Sequence, residues 1–209
     1  MNAFDKVIGY ETIKNELLQI CDMIHNREVY EELGAKLPQG ILLYGDPGLG
    51  KTLIAKCFIE ESGLISYVVR RNKGNDDFLG DITATFQKAR ETAPCIVFLD
   101  DMDKFANEDS NHRDAEEYVA VQSGIDEVKN CNVFVLATAN EMWKLPNSLV
   151  RSGRFDRKIE VQYFPLENCS GNLCKIVVET TDYGSAAQIV MNMFNIPQQN
   201  IYAVNTYLG

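Results

Sequence analysis

The stretch Gly45-Asp46-Pro47-Gly48-Leu49-Gly50-Lys51-Thr52 has the spacing G-x-x-x-x-G-K-[ST]. Residue types in that order suit the holding of phosphate. Glycines let successive backbone N–H groups turn inward, and a helix opening at Lys51 aims the positive end of its dipole at the same oxygens. The Lys51 ammonium then reaches the outer phosphates, and the Thr52 hydroxyl is a ligand for Mg2+. Asp46, Pro47, Gly48, Leu49, Gly50, Lys51, Thr52 and Leu53 are therefore expected to line a nucleotide.

About 45 residues further on, Ile96-Val97-Phe98-Leu99-Asp100-Asp101 supplies the other half of such a site. Four apolar residues bury a strand, and an acid pair emerges at its carboxyl end. Asp100 is placed to hold Mg2+ through water, as a Walker-B acid does. Asp101 is placed to orient or deprotonate an attacking water. The two blocks reinforce each other, because an apolar strand precedes the Walker-A glycines and a helical pattern follows them.

These side chains need elements to carry them. Residues 10–33 show Ile13, Leu17, Ile20 and Ile24 at helical spacing, with Gly34 as a stop. Apolar runs at 41–44, 65–69, 95–99 and 132–137 read as strands, and 158–162 as a fifth. Helical stretches at 51–61 and 81–91 separate the early ones. Strands alternating with helices imply a three-layer α/β/α fold on a parallel sheet, with the ligand at the carboxyl ends of the strands.

The chain has 209 residues, with 20 Lys and Arg against 30 Asp and Glu, a net charge of −10. That balance argues against nucleic acid or an anionic membrane as the main partner. The basic run Arg70-Arg71-Asn72-Lys73 reads as a solvated loop. The only histidines, His25 and His112, form no HExxH pattern, which excludes a zincin. Cys21, Cys57, Cys95 and Cys131 stand apart among apolar neighbours, and Cys169 and Cys174 lack a second pair for a zinc site. Reduced thiols suit a reducing compartment. No apolar run approaches the ~18–20 residues of a membrane span, and Met1 to Asp5 lack a signal-peptide layout. A soluble, cytoplasmic protein is expected.

Four blocks resemble the AAA ATPase module of the FtsH-like and Cdc48-like branch. Phe4-Asp5-Lys6-Val7-Ile8-Gly9 resembles the motif whose backbone reads adenine, which places Val7, Ile8 and Gly9 at the nucleotide. Leu33 to Gly40 lead into the phosphate loop as in FtsH, and Ala93 to Asp100 resemble its Walker-B approach. Thr138-Ala139-Asn140 and Leu149 to Arg157 resemble the second region of homology. The resemblance covers residues 4 to about 165 and implies a P-loop NTPase sheet of order 5-1-4-3-2. It implies a core over 1–165, followed by an atypical or truncated segment, 166–209, in place of the helical lid.

It also assigns roles. Asn140 matches sensor 1, which contacts the γ-phosphate or the attacking water. Arg151 and Arg154 match two arginine fingers, supplied to a neighbouring subunit of a homo-oligomeric ring, for instance a hexamer. Phe78-Leu79-Gly80 matches an aromatic pore loop that grips a protein substrate; the rival reading of Phe78 is a core residue. ATP/ADP and Mg2+ are the implied cofactors. Asp101 stands where the family normally has Glu, one methylene longer. The function expected is Mg-dependent ATP hydrolysis coupled to protein remodelling. The alternative is an ATP-gated scaffold or switch that barely hydrolyses.

Overall fold

The computed structural model describes residues 2–7, 9–72, 77–106, 115–151 and 153–162. Ile8 and the segment 166–209 lie outside the described residues.

Five strands form one sheet: β1 (Gly40–Tyr44), β2 (Ile65–Arg70), β3 (Cys95–Asp100), β4 (Val133–Ala139) and β5 (Arg157–Glu160). The spatial order is β2-β3-β4-β1-β5, and every pairing is parallel. This is the expected order 5-1-4-3-2 read from the other edge. β3 and β4 are buried along their whole length, which explains why they read as unbroken apolar runs rather than alternating ones. The edge strands β2 and β5 are mostly open.

Alternate residues of the central strands build two cores. On one face Leu42, Val97, Leu99, Val135 and Ala137 join the core built with α4 (Phe78–Glu91) and α5 (Glu116–Glu127). On the other, Ile41, Leu43, Ile96, Phe98, Phe134 and Leu136 join the core built with α1 (Glu11–His25), α3 (Lys51–Ser62) and the 3-10 turn Ala3–Lys6. Cys21, Cys57 and Cys95 are buried free thiols, and burial pushes Cys21 up to about 12. Cys131 is half-buried. No helix among the described residues is long and apolar enough to cross a membrane.

Two expectations change. The single helix over 10–33 is broken at Asn26 (φ −112°, ψ 34°), where α1 gives way to α2 (Arg27–Glu32). The helix expected from Asp81 begins three residues earlier, at Phe78. Asp77 caps it by accepting the N–H of Gly80 at 3.0 Å.

Candidate functional site

Three neighbouring strands, β1, β4 and β3, deliver the chemistry-bearing residues to one edge of the sheet. β1 runs into the glycine loop at 45–50, and α3 opens at Lys51. Gly48 and Gly50 have φ of 83° and 84°, a region that side chains with a Cβ avoid. Space is open where a Cβ at Gly50 would stand. At Gly45 a Cβ would lie 2.2 Å from the Val161 carbonyl oxygen, so only glycine lets the loop pass the end of β5. Asp46, Pro47, Gly48 and Leu53 are exposed, whereas Leu49 is buried and anchors the loop in the core. A cavity of about 300 Å3 lies between this loop and residues Glu160, Val161 and Gln162.

Lys51 is 5% exposed and donates to the carbonyl oxygens of Gly45 at 2.7 Å and Asp46 at 2.6 Å. Burial lowers its pKa from 10.5, against the pull of the Asp103, Asp101 and Asp46 carboxylates. The ammonium is thus held inside the loop that would surround a phosphate.

Asp100 ends β3 with 3% exposure. Its Oδ1 accepts the Thr52 hydroxyl at 2.9 Å and the Thr138 hydroxyl at 2.8 Å. A hydroxyl and a buried carboxylate in contact are hard oxygen donors, the kind Mg2+ takes alongside waters and phosphate oxygens. Among the described residues no cluster of three or more His, Cys, Asp or Glu side chains could hold a metal unaided. The residues present fit an ion brought largely by its phosphate partner.

Asp101 sits in the left-handed region (φ 55°, ψ 49°), which turns the chain sharply out of β3. Its backbone N–H donates to the Thr138 hydroxyl at 2.9 Å. Its carboxylate lies 2.8 Å from Lys104 and 3.6 Å from Arg70. Asn140 follows the end of β4 and is half-buried. The Asp103 carboxylate accepts its backbone N–H at 2.9 Å.

Sequence reasoning missed two residues. Thr138 is fully buried and couples both acids. Asp103 fixes the turn that carries Asn140. Thr138 was legible only as part of a motif, because a buried threonine in an apolar strand carries no pattern of its own.

The sequence profile of the ATPase family associated with various cellular activities (AAA) matches residues 41–163. That span runs from β1 through the acid pair and Asn140 to the end of β5. The chain belongs to the AAA family of ATPases. An ATP-dependent zinc metalloprotease FtsH of Ureaplasma parvum is 34% identical over 166 residues, 76% of this chain and 23% of that protein. The FtsH of Mycoplasma genitalium is 30% identical over 200 residues, 90% of this chain and 28% of its own length. Chloroplastic FTSH 2 of Arabidopsis thaliana is 32% identical over 172 residues, 76% and 24% respectively. The chain spans about a quarter of the length of these curated relatives.

The remaining AAA residues are placed unevenly. Val7 is buried in the same core as Leu49 and Ile54, and Gly9 has φ 73°. The 3-10 turn before them is fastened to the end of α3: Ala3 N–H donates to Glu61 at 2.8 Å, and Lys6 pairs with Glu60 at 2.7 Å. Arg151 is exposed, at the end of α6 (Asn147–Val150).

Arg154 departs from the AAA expectation. It is 7% exposed, and its guanidinium grips Asp126 at 2.6 and 3.2 Å, along with Gln122 and the Ser148 carbonyl. As placed, it ties α5 to α6 rather than presenting a charge to a neighbour. The reason is that a buried guanidinium is held by every acceptor around it, and withdrawing it would leave those bonds unmade.

The pore-loop expectation is likewise corrected. Phe78, Leu79 and Gly80 form the first turn of α4, not an exposed loop. Phe78 is 4% exposed and packs edge-on against Phe105, ring centres 5.0 Å apart, with Arg71 over its face. Leu79 is the partly exposed member of the three.

Proposed function

We propose that the chain binds ATP with Mg2+ at the carboxyl ends of β1, β4 and β3, hydrolyses it, and couples turnover to protein remodelling within a homo-oligomeric ring. The observation that carries this is the contact of the Thr52 hydroxyl with the buried Asp100 carboxylate, next to the loop that encloses the Lys51 ammonium.

Mg2+ bound there supplies charge neutralisation between the outer phosphates and orients them. The chain's own residues do the rest. Backbone N–H groups of the glycine loop bind phosphate oxygens, with the α3 dipole behind them. Lys51 exchanges its two carbonyl partners for phosphate oxygens. Thr52 and Asp100 hold the metal side, Asp101 receives or orients the water, and Asn140 offers a neutral amide to the γ-phosphate. Arg151, exposed and cationic, is the group suited to reach a neighbouring subunit's phosphate.

The second reading, an ATP-gated scaffold, is favoured by one observation: the short Asp101 side chain is shared between Lys104 and Arg70. Phosphate release by wild type, Asp101→Glu and Asp101→Asn separates the two. Turnover by wild type that Asp101→Asn stops supports the enzyme. Near-zero turnover by wild type that Asp101→Glu raises strongly supports the scaffold.

A further inference from the structure

The nucleotide reading leaves the basic run Arg70-Arg71 without a task, and the expectation that it is a solvated loop fails. Arg71 turns toward α5, with Nη1 2.8 Å from Glu117. Arg70 is the last residue of β2, paired in register with Asp100 on β3. Its two terminal nitrogens divide between the acids: Nη1 lies 3.6 Å from Oδ2 of Asp100, and Nη2 lies 3.6 Å from Oδ2 of Asp101.

Each oxygen in this arrangement has a distinct set of partners. Thr52 and Thr138 both donate to Oδ1 of Asp100, so Arg70 faces the other oxygen. Oδ2 of Asp101 stands between Lys104 at 2.8 Å and Arg70 at 3.6 Å, pulled from two sides. Adjacent carboxylates repel, and Asp100 is too buried for water to screen it. A planar guanidinium can span two carboxylates, which the point charge of a lysine cannot.

We propose that Arg70 is a positioning residue for the ATPase reaction. Its guanidinium ties Asp101 to Asp100, holds the short Asp101 carboxylate against the pull of Lys104, and opposes with its own charge the metal at Asp100. This rests on the Mg-ATP reading given above. The assignment has two consequences of opposite sign. Removing a unit positive charge close to the metal side tightens Mg2+ binding, roughly fivefold for a half-exposed charge. Releasing Asp101 toward Lys104 misplaces it by an ångström or so and slows turnover, roughly tenfold or more. A residue that only supports the fold would weaken both when removed.

The test uses the full chain as wild type, Arg70→Ala and Arg70→Lys. Mg2+ is titrated against binding of a fluorescent ATP analogue, and phosphate release is measured separately at saturating Mg-ATP. Arg70→Ala should need roughly fivefold less Mg2+ for half-saturation, with kcat roughly tenfold lower and KM little changed. Arg70→Lys keeps the charge but not the fork, so its Mg2+ dependence should stay near wild type while kcat falls. An unchanged or higher Mg2+ requirement in Arg70→Ala, or an unchanged kcat, overturns the assignment. Nucleotide binding by wild type that ignores Mg2+ altogether overturns the Mg-ATP reading itself.

Discussion

Thr52 donates its hydroxyl to Oδ1 of Asp100 at 2.9 Å, joining the first turn of α3 to the end of β3 across 48 residues of chain. The contact exists because β1 and β3 flank β4 in the sheet, so the loop after β1 and the acid after β3 emerge at the same edge. Each side chain is a weak metal ligand by itself. Together they form a site whose geometry the sheet determines.

Thr138 should matter as much as the named motifs. Its hydroxyl donates to Asp100 and accepts from the Asp101 N–H. Thr138→Val keeps the volume and removes both bonds, leaving a buried N–H unpaired at a cost of about 1–3 kcal/mol. Phosphate-release kinetics should show kcat falling at least tenfold, with a smaller change in KM.

Arg151 and Arg154 should separate in two assays. Arg154→Ala removes the tie between α5 and α6, so differential scanning calorimetry should show a lowered Tm. Arg151→Ala touches only an exposed side chain, and Tm should stay within about a degree, as surface changes usually do. Specific activity measured against protein concentration should rise for wild type and stay flat for Arg151→Ala. An Arg151→Ala protein with wild-type concentration dependence would remove it from the intersubunit role.

The Asp126–Arg154 pair should also be visible in acid. The hydrogen bond from Arg154 holds the Asp126 carboxyl below its ordinary 3.8, outweighing the opposing effect of burial. A carboxyl depressed in the folded state stabilises the fold above its unfolded pKa, and the contribution is lost as pH falls through the lower folded value. Asp126→Asn should therefore melt below wild type at neutral pH, and the gap should close below pH 3.8. Thermal melts across that range check it; a gap that widens in acid would contradict the pairing.

Phe78 is a core residue on its packing. Phe78→Ala should destabilise by about 3–5 kcal/mol. In a chain of this size that lowers Tm by on the order of 10 °C. A pore-loop aromatic would instead leave Tm unchanged and impair only substrate handling.

The strands were legible because β3 and β4 are buried on both faces and leave unbroken apolar runs. Their order was not legible from periodicity, since nothing within a strand names its neighbour; it came through family resemblance. The phosphate loop was legible to the residue because its chemistry is local: glycines, lysine and threonine within eight positions. Arg70 was not, because its partners lie on the next strand and meet it only through the register of β2 and β3. Phe78 was ambiguous because an aromatic gripping a substrate and one filling a core are the same letter. Burial against Phe105 separates the two.

The central claim is that the Thr52–Asp100 contact is the metal side of an ATP-hydrolysing site. Phosphate release from ATP, with and without Mg2+, by wild type and Asp100→Asn tests it most directly. Release by wild type should need Mg2+ and fall at least a hundredfold in Asp100→Asn, while the variant still binds nucleotide through its glycine loop. Equal phosphate release by wild type and Asp100→Asn, or release indifferent to Mg2+, would contradict it.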